Sequence, residues 1–298
     1  MSAPSGGDRC FEFRFDISLR SDSVRLTAMT DGAPKITVIT PSYNQGEFLE
    51  ATIRSVLDQA YPNLEYLIVD GGSTDGSKAI IERYSDRLAW WVSEKDAGQS
   101  AAINKGLRRA SGDIIGWLNS DDKLLPGALD TIAKTFANEP TCGAIAGGVR
   151  YVFTHNGSIQ EKSARYNGHQ RLLQFWRGYD LHQPAIYWRH SVQDELGVLD
   201  ESLHLTMDFD YWTRISGHCG FCVVPEVLAE ITNHSDAKTG DNFRSYHAEL
   251  RHRAPSYWPW PARSARGLAW SLWMQSARVG VVSRTIGYRV ARRVGLRA

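Results

Sequence analysis

The sequence predicts an α/β protein in which a mostly parallel sheet is flanked by helices. Short runs of β-branched and aromatic residues alternate with segments whose apolar residues recur at helical spacing, and this alternation is typical of βαβ units. The runs are continuously apolar, as expected for strands that are covered on both faces. A polar cluster follows each of the first four runs. Because ligands bind outside the carboxyl ends of such strands, these clusters predict one shared cleft.

The first half of the chain has the clearest pattern of elements. Its predicted strands are Lys35–Thr40, Leu64–Val69, Leu88–Val92 and Ile114–Leu118. Its predicted helices are Glu47–Gln59, Asp75–Tyr84 and Gln99–Arg109. The second half is less regular. It predicts short helices at Arg171–Trp176 and Met207–Ile215, and strands or extended segments at Ala144–Phe153, His182–Trp188, Phe221–Val224 and Val227–Ile231.

The charge of the chain is unevenly distributed. The 298 residues are 42% hydrophobic and 22% charged, which is enough to bury a large core. From Leu250 to the C-terminus there is no Asp or Glu but there are ten Arg, so the net charge of +1 is the sum of −9 before Leu250 and +10 after it. The low overall charge at first argues against a polyanionic partner, while the basic C-terminal region suggests contact with membrane or nucleic acid. Of these two, we expect an anionic membrane surface and no nucleic acid.

The four cysteines, Cys10, Cys142, Cys219 and Cys222, are few and scattered, so we expect no disulfide framework and a reducing environment. The Cys219–Cys222 pair lacks the second pair of a zinc site, and its surroundings favour the entry to an apolar strand. The sequence shows no secretory signal and no apolar run of membrane-spanning length. We therefore expect a cytoplasmic protein, with peripheral attachment to the inner face of the cell membrane as a further expectation.

Asp121 and Asp122 directly follow the fourth predicted strand. Adjacent carboxylates repel each other and are costly to bury, and a divalent cation relieves that repulsion. Oxygen ligands suit Mg²⁺ or Mn²⁺, and Mg²⁺ commonly takes one or two carboxylates together with substrate phosphates. A solvated turn with an Asp helix cap is the alternative. The position beside three other strand-end polar clusters favours the metal site.

The loop Asp70–Gly76 follows the second strand but lacks the glycine spacing of a dinucleotide-binding loop. A tight turn in which Ser73 or Thr74 caps the next helix explains most of it. The turn does not explain Asp70. An acid at a strand end is well placed to accept hydrogen bonds from a nucleobase or a ribose.

Two stretches of the first half resemble family 2 glycosyltransferases with the GT-A fold: KITVITPSYNQGEFLEATIRSVLDQAYPNLEYLIVDGGSTDGS and EKDAGQSAAINKGLRRASGDIIGWLNSDD. The match is dense over residues 35–138 and extends more thinly to Thr239. This resemblance implies an inverting, metal-dependent enzyme that moves a sugar from a nucleotide-sugar donor to an acceptor hydroxyl. UDP-sugars are the favoured donors, with GDP- and dTDP-sugars as alternatives, and the acceptor would be a lipid-linked or cell-surface glycan.

The resemblance also implies roles for the strand-end residues. Asp70 would recognise the base, with uracil favoured, and Ser42 and Tyr43 would line the same pocket. Three further residues would lie near the nucleotide or the donor sugar: Asp96, Asn104 and Lys105.

The metal, Mn²⁺ or Mg²⁺, would lie at the acidic pair. Asp121 would contact ribose or metal, and Asp122 would hold the metal at the diphosphate. Asn119 stands where the family often has Asp, so which of the two acids binds metal directly stays open. His234 would be a third ligand, because imidazole tolerates Mn²⁺, with a solvated loop histidine as the alternative. Lys238 could pair with a phosphate.

The segment Met207–Arg214 resembles the family's Glu-Asp-x-x-x-Trp-x-Arg helix start, with Met207 in place of the first acid. Inverting transfer needs a base opposite the leaving diphosphate, and Asp208 is the predicted base. Asp210 should face elsewhere on the helix. The alternative is that Asp208 only stabilises the helix dipole. The segment around His182 resembles one near the acceptor cleft, although a structural role is favoured for that histidine.

We expect four parts: an arm over residues 1–34, a nucleotide-sugar-binding half over 35–138, an acceptor-side half over 139–249, and a basic aromatic helical tail over 250–298. The mixture of aromatic residues and Arg in Pro255–Ala298 favours a helix on an anionic membrane. The alternative is a helix pair packed on the acidic catalytic domain.

Two other functions are weighed against sugar transfer. A sugar nucleotidyltransferase would need a Gly-rich, Arg-bearing loop after the first strand, and PSYNQG does not provide one. A non-catalytic glycan-binding or scaffold protein of the same fold should have lost at least one of the key acids. All of these acids are present, at Asp70, Asp121, Asp122 and Asp208.

Overall fold

A computed structural model describes residues 32–174 and 179–234, together with six helical residues of the C-terminal region: Ser245, Tyr246, Glu249, Leu250, Arg253 and Tyr257. The predicted arm before Gly32 lies outside the described residues. So do Lys238 and nearly all of the predicted membrane-binding segment, Pro255–Ala298, of which only Tyr257 is described. The predicted helix Arg171–Trp176 is described only in part, because residues 175–178 also lie outside the described set.

The described elements alternate between strand and helix through the first half, as predicted. The strands are β1 Ile36–Ser42, β2 Leu64–Asp70, β3 Trp90–Ser93, β4 Ile114–Trp117, β5 Asp122–Leu124, β6 Ala144–Phe153, β7 Ser158–Lys162, β8 Ile186–Arg189 and β9 Cys222–Asn233. The α-helices are α1 Gly46–Leu57, α2 Ser77–Arg83, α3 Gln99–Leu107, α4 Ala128–Asn138, α5 His169–Leu172, α6 His190–Leu196 and α7 Met207–His218. Two short 3₁₀ turns span Ser85–Arg87 and Gln183–Ala185.

The strands form one mixed sheet in the order β3-β2-β1-β4-β8-β6-β9-β5, with β7 paired to β6. The α/β class is confirmed. Pairing is parallel across β3, β2, β1 and β4 and again between β6 and β9. The pairs β4–β8, β8–β6 and β5–β9 are antiparallel. Parallel pairing therefore describes the half built from βαβ units, and it does not extend across the whole sheet.

Helices cover both faces of the sheet. Alternate residues of a strand point to opposite faces, so each strand contributes side chains to two cores. Val38 of β1 belongs to the core shared with α1, α2 and α4, whereas its neighbour Ile39 belongs to the core shared with α3 and α7. The second core contains a buried tryptophan cluster. Trp117 at the end of β4 stacks on Trp212 of α7 with ring centroids 5.0 Å apart. This contact fixes α7 against the carboxyl end of the central strand.

The last strand differs from its prediction. Two short strands were expected, Phe221–Val224 and Val227–Ile231, and Pro225, which cannot donate a ladder hydrogen bond, lies between them. Instead β9 is one strand, and its register against β6 shifts between Ala146 and Gly148. A bulge of this kind accommodates Pro225 without ending the strand. The continuous strand carries Thr232 and Asn233 to the carboxyl end of β4, where the site lies.

A disulfide bond joins Cys142, which precedes β6, to Cys222 at the start of β9. This corrects the expectation that the cysteines are reduced. The two residues are 80 positions apart in sequence, but the parallel pairing of β6 with β9 brings Ile145 opposite Cys222. Cys222 begins a strand, as predicted, and its CxxC partner Cys219 is a free, exposed thiol.

The disulfide should contribute to stability. A cross-link of this loop length typically stabilises a domain by about 2–4 kcal/mol, mainly by restricting the unfolded chain. We expect Cys222→Ser to lower the free energy of unfolding by about that amount, measured by urea denaturation of the oxidised protein. Cys219→Ser is the matched control and should change little. Equal denaturation midpoints for wild type with and without reductant would contradict this role.

Within the described part of the chain, no helix combines the length and the apolar character needed to cross a bilayer. Of the C-terminal residues, Leu250 is fully buried in the second core, and Tyr246 and Tyr257 pack against it. Their spacing places them on one face of a helix. For these described residues, the structure favours the alternative of a C-terminal helix packed on the catalytic domain. The membrane prediction for the rest of Pro255–Ala298 stays a prediction.

Candidate active site

A cleft of about 760 Å³ opens at the carboxyl ends of β1 and β4, as the strand-end clusters predicted. The start of α7 and the end of β9 also line it. Six residues predicted to be functional line it: Ser42, Tyr43, Asp96, Asp121, Asp122 and Asp208. The loop geometry thus brings together the predicted nucleotide, metal and base positions. Four other predicted residues do not line it: Asp70, Asn104, Lys105 and His234.

Asp70 is completely buried beneath the cleft. Its Oδ1 accepts a hydrogen bond from Ser73 Oγ at 2.5 Å, and its Oδ2 accepts one from Ser93 Oγ at 2.7 Å. The backbone N–H groups of Gly72 and Ser73 also donate to Oδ2, at 3.2 and 3.0 Å. The sequence predicted a direct contact between Asp70 and a base, and such a contact would require these bonds to open. In this arrangement Asp70 shapes the loop that follows it.

The helix cap in the loop after β2 also differs from the prediction. Ser73 was predicted as a possible helix cap, but its hydroxyl is bonded to Asp70. Helix α2 begins later, at Ser77, and the Asp75 carboxylate accepts hydrogen bonds from Ser77 N–H and from Gly46 N–H. Burial alone would raise the pKa of Asp75, but hydrogen bonds from the Ser77 hydroxyl and from the Gly46 and Ser77 N–H groups lower it. Asp75 therefore ties the start of α1 to the start of α2.

Asp96 is the acid that reaches the cleft beside this loop. Gly71 leaves room for it, since a Cβ on Gly71 would lie only 3.0 Å from Asp96 Oδ2. Asp96 Oδ1 accepts a hydrogen bond from Gly98 N–H at 2.8 Å. The half-buried carboxylate is thus held in place while part of it faces the cleft. Of the two acids in this region, Asp96 rather than Asp70 is exposed to a ligand.

Asn104 and Lys105 contact neighbouring parts of the fold and do not face the cleft. The fully buried Asn104 amide donates to Leu199 carbonyl and to Glu201 Oε1, both at 2.9 Å, and accepts from Leu199 N–H at 2.8 Å. It therefore fastens α3 to the segment before α7. Lys105 Nζ lies 2.5 Å from Glu94 Oε1. Neither side chain lines the cleft, because α3 directs both away from it.

The acidic pair lies where the sequence placed it. Asp122 is 4% exposed, and its carboxylate is 3.4 Å from Thr232 N and from Asn119 Nδ2. Asp121 Oδ2 lies 3.2 Å from His234 Nε2 and 3.3 Å from Gln45 Nε2. The His234 ring packs on Phe48 with a centroid distance of 4.4 Å. His234 is therefore a partner of Asp121, adjacent to the acidic pair.

Burial, reinforced by the neighbouring charge of Asp121, raises the pKa of Asp122 well above its ordinary value. A cation beside the pair would offset both effects. The described residues contain no group of three or more His, Cys, Asp or Glu side chains arranged to hold a metal ion. Two carboxylates nonetheless suit a cation whose remaining ligands are substrate phosphates and water. The donor chemistry of the pair thus fits a divalent cation bound together with a diphosphate.

The raised pKa of Asp122 predicts a pH dependence of stability in metal-free protein. The folded state holds this proton more tightly than the unfolded chain, so the contribution of Asp122 to stability is lost as pH rises through its folded-state pKa. An Asn at position 122 does not titrate, so its contribution to stability does not fall as pH rises. We expect the melting temperature of Asp122→Asn in EDTA to exceed that of wild type at pH 8, with the difference shrinking towards pH 5. Asp86→Asn, at an exposed position, is the control, and parallel curves for Asp122→Asn and wild type would contradict the effect.

Helix α7 presents two acids in different directions. Asp208 is half-buried and lines the cleft, and its Oδ1 accepts a hydrogen bond from Phe209 N–H at 2.7 Å. Asp210 is 1% exposed and accepts hydrogen bonds from Arg214 Nε and Arg253 Nε, both at 3.0 Å, and from the Tyr257 hydroxyl. The expectation that Asp210 faces elsewhere is confirmed. Only Asp208 offers a carboxylate to the cleft from this helix.

Several cleft residues were not predicted from the sequence. Gln45 accepts a hydrogen bond from Ser120 and lies beside Asp121; its place in the strand-end loop PSYNQG was the available signal. Lys95 and His204 bring cationic or titratable groups, and Tyr151 and Tyr179 bring aromatic walls. Lys95 lies in the stretch EKDAGQ quoted above, whereas His204, Tyr151 and Tyr179 come from segments without a local motif. Only the folded chain shows that they share one cleft.

The 3₁₀ turn that begins β8 also contributes to the cleft, where an extended segment was predicted. Gln183 Nε2 donates to Trp117 carbonyl at 2.8 Å. Burial lowers the pKa of His182, which favours a neutral imidazole. Among the described residues, three buried polar atoms of this wall have no hydrogen-bond partner: Trp117 Nε1, His182 Nε2 and Gln183 Oε1. Buried polar groups are normally paired, so these atoms are suited to a hydroxyl-rich ligand.

The fold is that of the GT-A-type transferases. The chain is similar to the solved structure of S. aureus TarS 1-349 in complex with UDP-GlcNAc, with a TM-score of 0.57 and 19% identity over 74% of this chain and 66% of that one. It is also similar to the mannosyltransferase PcManGT from Pyrobaculum calidifontis in complex with GDP-Man and Mn²⁺, with a TM-score of 0.54 and 22% identity over 78% of this chain and 68% of that one. At these identities the likeness concerns the fold.

Sequence comparison identifies the family. The model of glycosyl transferase family 2 matches residues 37–196, more than half of the chain, and the chain belongs to this family. It is 44% identical over 98 residues to TuaG of Bacillus subtilis (strain 168), a glycosyltransferase assigned to teichuronic acid biosynthesis. It is 34% identical over 110 residues to the GalNAc(5)-diNAcBac-PP-undecaprenol beta-1,3-glucosyltransferase of Campylobacter jejuni. These matches span 32% and 36% of this chain, and 39% and 35% of the relatives.

Proposed function

We propose that this chain is an inverting, metal-dependent glycosyltransferase that moves a sugar from a UDP-sugar to an acceptor hydroxyl. The observation that carries the proposal is the Asp121–Asp122 pair, of which Asp122 is buried, in the same cleft as Asp208. The pair needs positive charge, and the diphosphate of a nucleotide-sugar needs a cation. Asp208 lines the same cleft from a different element, α7, where it would act on an acceptor. Family membership supports sugar transfer as the reaction.

The nucleotide would occupy the part of the cleft beside β1 and the loop after β3. The exposed Tyr43 ring provides a stacking surface, and the fixed carboxylate of Asp96 can accept hydrogen bonds from a base edge or a ribose. Ser42 Oγ, buried and without a partner among the described residues, is a further polar group there. The complex of the structural relative TarS with UDP-GlcNAc supports UDP as the nucleotide.

Asp121 and Asp122 would hold Mn²⁺ or Mg²⁺, and the bound cation would neutralise charge on the leaving diphosphate. His234 would orient Asp121 through their 3.2 Å contact. The mannosyltransferase structure that contains GDP-Man and Mn²⁺ supports this assignment. The acidic pair would also exclude anions other than those that arrive with a cation.

The chemical step would be a single displacement. The acceptor oxygen attacks the anomeric carbon, the bond from that carbon to the diphosphate oxygen breaks, and Asp208 takes the hydroxyl proton. Attack opposite the leaving group inverts the configuration. The buried polar atoms without a partner among the described residues, Trp117 Nε1, His182 Nε2 and Gln183 Oε1, would bind sugar hydroxyls. The Campylobacter relative, named for a PP-undecaprenol-linked substrate, supports a lipid-linked or cell-surface glycan as acceptor.

A panel of nucleotide sugars tests the proposal. UDP-, GDP- and dTDP-sugars would be screened for hydrolysis and for thermal stabilisation of the full chain, with Mn²⁺, with Mg²⁺ and with EDTA. We expect UDP-sugars to stabilise the protein and to be turned over only when metal is present. Stabilisation that is independent of metal, or absence of any turnover across the panel, would contradict the proposal.

A further inference from the structure

The segment just before α7 is held by a residue from the C-terminal region. Glu249 Oε1 accepts a hydrogen bond from His204 N–H at 2.9 Å, and its Oε2 accepts from Leu205 N–H at 2.8 Å. The Thr206 N–H and hydroxyl also donate to Oε2, each at 3.0 Å. One carboxylate thus satisfies three consecutive backbone donors and a side chain. Hydrogen bonds to a charged group are stronger than neutral ones.

This carboxylate replaces a local helix cap. Thr206 is the N-cap residue of α7, but its side chain makes no capping hydrogen bond to the helix, because the hydroxyl donates to Glu249. The negative charge of Glu249 lies at the N-terminal end of the helix, where it is favourable. A glutamate commonly caps a helix from within its first turn. Here the glutamate comes from 43 positions beyond the cap residue.

The clamped segment forms part of the cleft. His204 and Leu205 line the cleft, and Asp208 follows within one helical turn of the cap. The other side of the segment is held by Ser100 Oγ, which donates to the Leu203 carbonyl at 2.7 Å. The segment is therefore fixed from α3 on one side and from Glu249 on the other. The angle at which α7 presents Asp208 depends on both attachments.

The helical residues around Glu249 are anchored independently. Leu250 is fully buried, and Arg253 Nη2 lies 3.0 Å from Asp200 Oδ2. Burial, with the charge of Asp208 as a further cause, raises the pKa of Tyr246. The same two causes contribute to the raised pKa of Tyr179, which lines the cleft. The C-terminal helical residues therefore reach the surroundings of the proposed base as well as its helix.

We propose that Glu249 is a positioning residue that sets the geometry of Asp208 by clamping residues 204–206. This inference rests on the proposed function for its catalytic part, and its structural part stands without it. Misplacing a reacting group by about 1 Å can cost about 100-fold in rate. Loss of the clamp should therefore lower turnover and leave nucleotide binding intact.

The test uses the full chain, with Glu249→Gln as the variant and Glu226→Gln, an exposed position outside the cleft, as the matched control. Hydrogen exchange would be measured first. We expect the amides of residues 204–209 to exchange at least about tenfold faster in Glu249→Gln, with the strands β1, β2 and β4 unchanged. Unchanged exchange at residues 204–209 would overturn the clamp, whatever the activity. If Glu249→Gln fails to fold, Glu249→Asp, which keeps the charge but shortens the reach, takes its place.

The second measurement is hydrolysis of whichever UDP-sugar turns over in the panel. We expect Glu249→Gln to lower kcat about 10- to 100-fold with KM unchanged. Combined with Asp208→Asn, it should cause little further loss, because residues that act through one another are non-additive. Multiplicative losses, or a rise in KM with kcat unchanged, would overturn the positioning role. If wild type turns over no nucleotide sugar, the proposed function has failed, while hydrogen exchange still decides on the clamp.

Discussion

Replacing Asp208 with Asn should abolish sugar transfer while the donor still binds. A positioned general base typically contributes about 10²–10⁴-fold to rate, and Asn cannot take the acceptor proton. Asp208 reaches the cleft from α7, whereas the acidic pair follows β4, so the donor contacts should survive. Transfer rates and the dissociation constant for the UDP-sugar, measured on the same preparation, test both parts of this expectation.

Asp210→Asn offers a contrast two residues away. Its carboxylate is hydrogen-bonded to Arg214, Arg253 and Tyr257. Its loss should therefore lower the melting temperature, while kcat of the folded protein changes little. Turnover by Asp208→Asn close to that of wild type would remove Asp208 from the reaction. Loss of donor binding by the same variant would place it on the donor side instead.

Asp122→Asn should weaken UDP binding in Mn²⁺ by at least about tenfold, or about 1.4 kcal/mol. The expected cause is loss of one of two carboxylates that would hold the cation at the diphosphate. Calorimetry in Mn²⁺ and in EDTA separates this from a general defect, since wild type and variant should bind UDP equally weakly in EDTA. Asp86→Asn is again the control. Equal affinity of wild type and Asp122→Asn in Mn²⁺ would exclude Asp122 as a metal ligand.

The first half of the fold could be predicted because each of its elements is marked by residues adjacent in sequence. Each strand from Ile36 to Trp117 coincides with a short run rich in β-branched and aromatic residues, and its end is marked by polar residues. The same logic predicted that Asp121 and Asp122 would share a cleft with Ser42, Tyr43 and Asp96, whereas Asp208 was predicted from the resemblance of its segment to the family's helix start. Helix α4 was not predicted, although its buried residues Leu129, Ile132 and Phe136 recur at helical spacing. Strands β5 and β7 were not predicted either, because they are short and have little apolar content.

The remaining differences depend on contacts between distant parts of the chain. Asp70 is sealed partly by Ser93 on the neighbouring strand, and no property of its own loop indicates this. The Cys142–Cys222 bond follows from the pairing of β6 with β9. The continuity of β9 through Pro225 requires the bulge against β6. Glu249 is the last residue of the predicted acceptor-side half and lies 43 positions after Thr206, so its role appears only in the packed structure.

The position of Tyr43 separates affinity from selectivity in the proposed nucleotide site. Its ring is 64% exposed at the rim of the cleft, so it is available to stack before any ligand arrives. Stacking on an aromatic ring favours every base about equally, because every base has a π-face. Discrimination between uracil and guanine must then come from groups that read base edges by hydrogen bonding. Asp96 is the fixed acid beside that rim, so exchanging the preferred nucleotide should require changes around Asp96 while Tyr43 is retained.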